Sequence, residues 1–194
     1  MKYNLSEITD LIKDRRTIYP EQYTSRQVQK EQVEKILNNA IWAPTHGNTQ
    51  PWRFQVFMSE ESREELSKLL GTLYVEKIPA DKQNSMKLAK IISRPLKSSV
   101  VVAIIMKRDE TEKIAEIEEI EAVACAVQNM HLTCTAYGIG GFWATPKMID
   151  FAEFKDFLKI GEKDKCLGLF YMGYPDIEWP KAHRKPLEYV TEWK

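Results

Sequence analysis

The chain is 194 residues long, the size of one domain with a sizeable core rather than two independent ones. Hydrophobic residues make up 43% and charged residues 29%, and 28 basic side chains balance 28 acidic ones. That is the composition of a soluble globular protein, with no basic surface for nucleic acid and no polybasic membrane anchor. The longest apolar run, Val100 to Met106, is too short to span a bilayer, and charges interrupt Met1 to Arg16 where a signal peptide needs an apolar core.

In chain order, Asn4 to Asp14 predicts a short helix with Leu5, Ile8, Leu11 and Ile12 on one face and Asn4 with Glu7 as a capping box. It ends in Asp14-Arg15-Arg16-Thr17, and a polar loop containing Pro20 follows over Tyr19 to Gln27. Lys30 to Trp42 is the clearest amphipathic helix, with Val33, Ile36, Leu37, Ala40 and Ile41 on one face and Pro44 as its stop. Ala43 to Phe57 then changes from a helical to a strand pattern. It gathers His46, Asn48, Gln50, Trp52 and Arg53 between Pro44, Gly47 and Pro51, residues that fix a path and allow close approach to a ligand. An ordinary helix-to-strand connection would look the same on this stretch alone.

Trp52 to Met58 alternates as a strand, with Trp52, Phe54, Val56 and Met58 on one side and Phe57 on the other. Ser59 caps a third helix that carries Leu66, Leu69 and Leu70 inward and closes at Gly71. Leu73 to Lys97 reads as helical in its second half until Arg94-Pro95 breaks it, and offers room for a substrate lid. Ser98 to Met106 is a buried, largely β-branched strand, and Lys107 to Lys113 a charged turn. Ile117 to Tyr137 is the longest helix. Its middle, Ala122 to Val127, is apolar nearly all round, which predicts the core on one face and a second subunit on the other.

Gly138 to Gly141 ends that helix and turns the chain into a strand; a dinucleotide fingerprint would need a strand before it. Asp150 with Glu153 caps a short helix carrying Phe151, Phe154, Phe157 and Leu158 and closed at Gly161. Cys166 to Met172 is a second apolar strand, ending at Gly173-Tyr174-Pro175. The polar tail from Asp176 carries Trp179, Tyr189 and Trp193, which predicts that it docks, on the partner subunit for instance.

The inventory of catalytic groups is short. There is no Gly-x-Ser-x-Gly elbow and no phosphate-binding Walker loop. His46, His131 and His183 share no metal-ligand spacing. Cys125, Cys134 and Cys166 form neither a zinc pattern nor a disulfide framework; they read as core thiols of a reducing, cytoplasmic protein. Polar clusters without an acid, base or nucleophile set fit a protein whose cofactor does the hard chemistry. A flavin mononucleotide needs cations for its phosphate, donors and acceptors for its pyrimidine edge, and a flat slot for its ring. Arg15, Arg16 and Thr17 suit the first, His46, Asn48 and Gln50 the second, and Trp42, Phe142 and Trp143 the third.

Four features in order resemble the FMN-dependent nitroreductase family, in particular its small, minimal branch. They are Arg15-Arg16-Thr17, APTHGNTQPWRF, AVQNMHLTCTAYGIGGFW, and GYP followed by Arg184-Lys185-Pro186. The resemblance implies a single α+β domain over 1–194 with a central, mostly antiparallel sheet flanked by helices. It also implies an intertwined homodimer with FMN sites at the interface. On it, Arg15, Arg16 and Thr17 contact phosphate and ribityl, with Arg184 reaching the phosphate. His46 and Gln50 lie along the flavin with Asn48 nearby, and Trp143, Ala144 and Thr145 come from the other subunit. Thr17 stands where the family usually has Ser, Ala144 where a larger or polar residue is frequent, and Pro146 removes a donor.

The activity so implied is ping-pong hydride transfer from NAD(P)H to nitroaromatic or quinone-type small-molecule acceptors, with no metal. Two other classes fit the same residues: a flavin-binding module for storage or sensing, and a non-catalytic dimeric interaction protein. A different flavin reaction, such as reductive dehalogenation or flavin cleavage, is a variant of the first.

Overall fold

Four strands form one antiparallel sheet in the computed structural model, which describes residues 2–194: β1 (Trp52–Phe57), β2 (Val100–Met106), β3 (Gly140–Ala144) and β4 (Lys165–Gly173), in the spatial order β1-β2-β4-β3. Helices α1 (Leu5–Asp14), α2 (Lys30–Ala40), α3 (Glu60–Lys77), α4 (Ser85–Lys97), α5 (Glu116–Ala136) and α6 (Ala152–Leu158) surround it. This is the α+β arrangement expected from the sequence.

Every residue of β2 is buried because both sheet faces are covered. Val100, Val102, Ile104 and Met106 join a core with Val33 and Ile36 of α2 and Val123, Val127 and Met130 of α5. Val101, Ala103 and Ile105 alternate into a second core with Leu66, Leu70 and Tyr74 of α3 and Phe154 and Leu158 of α6. Each large aliphatic side chain so buried contributes about 1.5–3 kcal/mol. On β4 the register slips: Ile104 faces Gly168 and Ile105 faces Cys166, so Leu167 is an extra residue in a β-bulge. Gly168 sits at φ +137°, where a Cβ would lie 2.4 Å from Trp143 Nε1, and the Leu167 carbonyl accepts that indole N–H at 3.1 Å.

Several local expectations are corrected by tertiary packing. Gly71 does not close α3, which continues to Lys77; a Cβ there would come within 3.0 Å of the Ile92 side chain, so the glycine lets α4 approach. Pro95 does not break α4. It lies buried in the last turn, and the Ser98 backbone and hydroxyl both donate to the Arg94 carbonyl to finish the helix. Asp150 pairs with Lys147 at 2.9 Å instead of capping α6, which starts from Phe151. Lys159 at φ 52°, not Gly161, ends it. Helix α2 stops at Ala40, leaving Trp42 exposed. Cys125 is no core thiol: it is exposed on the outer face of α5, whereas Cys134 and Cys166 are buried. In the single chain α5 has one face in the core and an outer face, carrying Cys125, left exposed.

Candidate functional site

The predicted residues fall into three groups. The first is built where Arg15 leaves α1. Thr17 bridges Gly141 in parallel, and Ile18 N–H donates to the Gly141 carbonyl at 3.1 Å, so this segment extends the β3 edge. The Tyr23 hydroxyl lies 2.8, 3.2 and 3.2 Å from the carbonyls of Ile18, Gly140 and Tyr171 and ties the segment to β3 and its neighbour β4. The tail is folded back onto α1. Trp179 Nε1 donates to the Asp14 carbonyl at 2.5 Å and Arg16 Nε to the Pro180 carbonyl at 2.6 Å. Arg16 also donates to the carbonyls of Arg15, at 2.7 Å, and Lys13.

That fold-back brings Arg184 toward Arg15. Burial lowers the Arg15 pKa, and the positive charges of Arg184 and Arg16 lower it further. None of the three arginines has a carboxylate partner among the described residues. His131 of α5 is buried beside this corner, edge-on to Phe170 with centroids 4.6 Å apart. Burial and the Arg15 charge lower its pKa to about 4. The corner is therefore cationic and short of counter-charge, which is what an anionic ligand group requires.

The second group is the loop entering β1. Gly47, Asn48 and Gln50 all adopt left-handed backbone, at φ 57°, 54° and 47°. Non-glycine residues held this way cost on the order of 1 kcal/mol each and cluster at ligand sites. Gln50 Nε2 donates to Asn48 Oδ1 at 3.0 Å, and Gln50 N–H to Thr45 Oγ1 at 3.2 Å. His46 Nδ1 contacts the Glu118 carboxylate of α5. Two open clefts flank the loop. One of about 620 Å³ is lined by Pro44, Thr45, His46, Glu118, Glu121 and Cys125; one of about 400 Å³ by Trp42, Thr45, Asn48, Gln50 and Trp52.

The third group is the end of β3. Trp143 is half-buried, held by its indole bond to Leu167; Ala144 is half-buried and Thr145 exposed. Phe142 lies against Tyr19 and Tyr171, with the Arg94 guanidinium 4.8 Å from its ring centre. Within one chain the first and third groups share β3, and the loop is not brought to them. The loop feeds β1, the arginine corner extends β3, and three strand spacings, roughly 14 Å, separate those edges. Sequence reading missed Glu118, His131, Tyr23 and the carbonyl of Pro180, each far along the chain from the residue it serves.

The nitroreductase family model matches residues 12–174 of the chain. YdjA of Escherichia coli strain K12, provisionally named an NAD(P)H nitroreductase, is 28% identical over 148 residues, 76% of this chain and 78% of YdjA. A nitroreductase-like family protein from Bacillus cereus superposes with a TM-score of 0.80 at 24% identity, over 100% of this chain and 98% of its own. The FMN-dependent nitroreductase NfnB from Mycobacterium smegmatis, solved in complex with NADPH, gives 0.76 at 19% identity, over 98% and 100%.

Proposed function

The chain belongs to the nitroreductase family, and from that premise we propose that it is an FMN-dependent oxidoreductase, working as a homodimer, that passes hydride from NAD(P)H to nitroaromatic or quinone-type acceptors. The observation that carries the reading is the corner of Arg15, Arg16 and Arg184, three cations with no carboxylate partner among the described residues. The donor set fits FMN. Arg15 and Arg184 face the phosphate, Arg16 braces the corner through carbonyls, and the Thr17 hydroxyl serves the ribityl chain. Asn48 and Gln50 supply donors and acceptors to the flavin edge from the other copy, with His46 lying alongside; Trp143, Ala144 and Thr145 share the β3 edge with the corner and close the ring from that side.

Bound FMN would take hydride from NAD(P)H and give it to the acceptor in alternating half-reactions. The protein's part is binding and orientation, and the two halves of that part sit on opposite sheet edges of one chain, so a second copy completes them. Leu5, Ile8 and Ile12 leave the apolar face of α1 exposed, and Ile41, Trp42 and Ile117 do the same near the loop. Such faces ask for a partner. The test is the visible spectrum of the purified chain after incubation with FMN and desalting, together with its mass in solution. A dimer retaining about one flavin per chain and oxidising NAD(P)H when a quinone is added supports the proposal. A colourless protein overturns it, and retained flavin without turnover leaves a storage or sensing module.

A further inference from the structure

The 620 Å³ cleft holds a pair that the proposed cofactor contacts do not explain. His46 comes from the loop and Glu118 from the first turns of α5, 72 positions later, and they meet through Nδ1 and a carboxylate oxygen. An ionised carboxylate only accepts, so in this pair Nδ1 carries a proton and Nε2 is the atom left free. The loop is held in place independently. A Cβ on Gly47 would lie 3.1 Å from Ile114 Cδ1, just ahead of α5, and the left-handed backbone at Gly47 and Asn48 fixes where the ring emerges.

We propose that Glu118 is a positioning residue that keeps the His46 proton on Nδ1, making Nε2 the proton-exchanging atom of the cleft toward the oxygen of a quinone. This deepens the oxidoreductase reading and rests on it. A quinone becomes a hydroquinone by gaining one hydride and one proton. NAD(P)H supplies the hydride through the proposed activity, and a carbonyl oxygen of the quinone takes on negative charge. The Nε2–H bond of the His46 imidazolium breaks as the new O–H bond forms. His46 is left neutral with Nδ1–H still on Glu118, and water in the open cleft reprotonates Nε2. Glu118 keeps its hydrogen bond to Nδ1 throughout and orients the ring.

Two measurements test this. Long-range proton–nitrogen correlation on ring-labelled, flavin-free protein reads the tautomer of neutral His46. The expected result is Nδ1–H in the native chain, loss of that preference in E118A, and its return in E118D. On FMN-loaded protein with menadione as acceptor, E118A lowers kcat about tenfold to a hundredfold with flavin content and KM kept, E118D recovers part, and H46A/E118A is no slower than H46A. A native tautomer on Nε2, a tautomer indifferent to E118A, or an unchanged kcat overturns the proposal. A chain that holds no flavin overturns the quinone chemistry, and the tautomer measurement still decides the positioning by itself.

Discussion

The arginine corner and the His46–Gln50 loop both adjoin an edge strand and both present polar groups, yet they are held in opposite ways. The corner is assembled from distant pieces: Arg16 reaches Pro180, Trp179 reaches Asp14, and Tyr23 reaches the carbonyls of Gly140 and Tyr171. The loop is held by neighbours within five residues and by its own left-handed backbone, with Glu118 as its one distant hydrogen-bonding partner among the described residues. The corner stores electrostatic repulsion, and the loop stores backbone strain. Both are paid for by the packed sheet between them, and an incoming ligand can relieve the first but not the second.

The largest effect should come from breaking the corner's floor. A Cβ at Gly141 would lie 2.8 Å from Phe170 Cζ and 3.1 Å from His131 Nδ1. Gly141→Val is therefore expected to cost about 3 kcal/mol and lower Tm by roughly 8 °C, read by thermal melts. Acid should act on the same place. His131 has its pKa lowered from 6.5 to about 4 by burial and by Arg15. Below pH 6.5 the unfolded chain binds a proton at this residue that the folded chain refuses. Stability is full above that pH, falls as pH drops toward 4, and this contribution to the loss levels off below it, at about 3 kcal/mol. His131→Leu should flatten the profile over that window; an unaltered profile would remove His131 as its source.

Arg15→Ala separates binding from folding. The cation is repelled by Arg184 and Arg16 and partly desolvated, so its loss should leave the Tm of the flavin-free chain unchanged or slightly raised. FMN retention should weaken about tenfold or more, as fluorescence titration would show. The smallest effect belongs to the loop. Gln50→Gly relieves a left-handed side-chain clash and is expected to stabilise by no more than about 1 kcal/mol, while losing the Gln50–Asn48 bond and some flavin affinity. If that variant bound flavin as well as the native chain, Gln50 would have no part in the site.

The same contrast explains what the sequence made legible. The Asn4 cap is local and reads correctly: Asn4 Oδ1 accepts from Ser6 and Glu7 N–H at 3.0 and 3.5 Å, and its amide donates to Glu7 at 2.9 Å. β2 reads correctly because burial on both faces leaves an unbroken apolar run. Gly71, Pro95 and Asp150 each carry a strong local signal that the fold overrides: Ile92 of α4 packs against Gly71, Pro95 is buried in the last turn of α4, and Lys147, only three residues away, pairs with Asp150 in place of a cap. Cys125 was placed in the core by its apolar neighbours, although helical geometry turns it outward between Ala122 and Ala126, which are buried. In the candidate site, residue types were legible. Their anchors were not, since the Arg16–Pro180 contact spans 164 positions and nothing in composition announces it.

The bulge at Leu167 sets what length changes β4 tolerates. Removing that one residue would let the ladder to β2 run without a slip, which looks like a repair. Cys166 would stay opposite Ile105 and Lys165 opposite Met106, so neither side chain would change face. The carbonyl that holds Trp143 would go with Leu167. The extra residue thus serves the indole beside it, through its carbonyl, and not the phase of the strand. Drift in strand length at this point should be absorbed before Lys165, in the 159–164 turn, where an added residue shifts no side chain across the sheet.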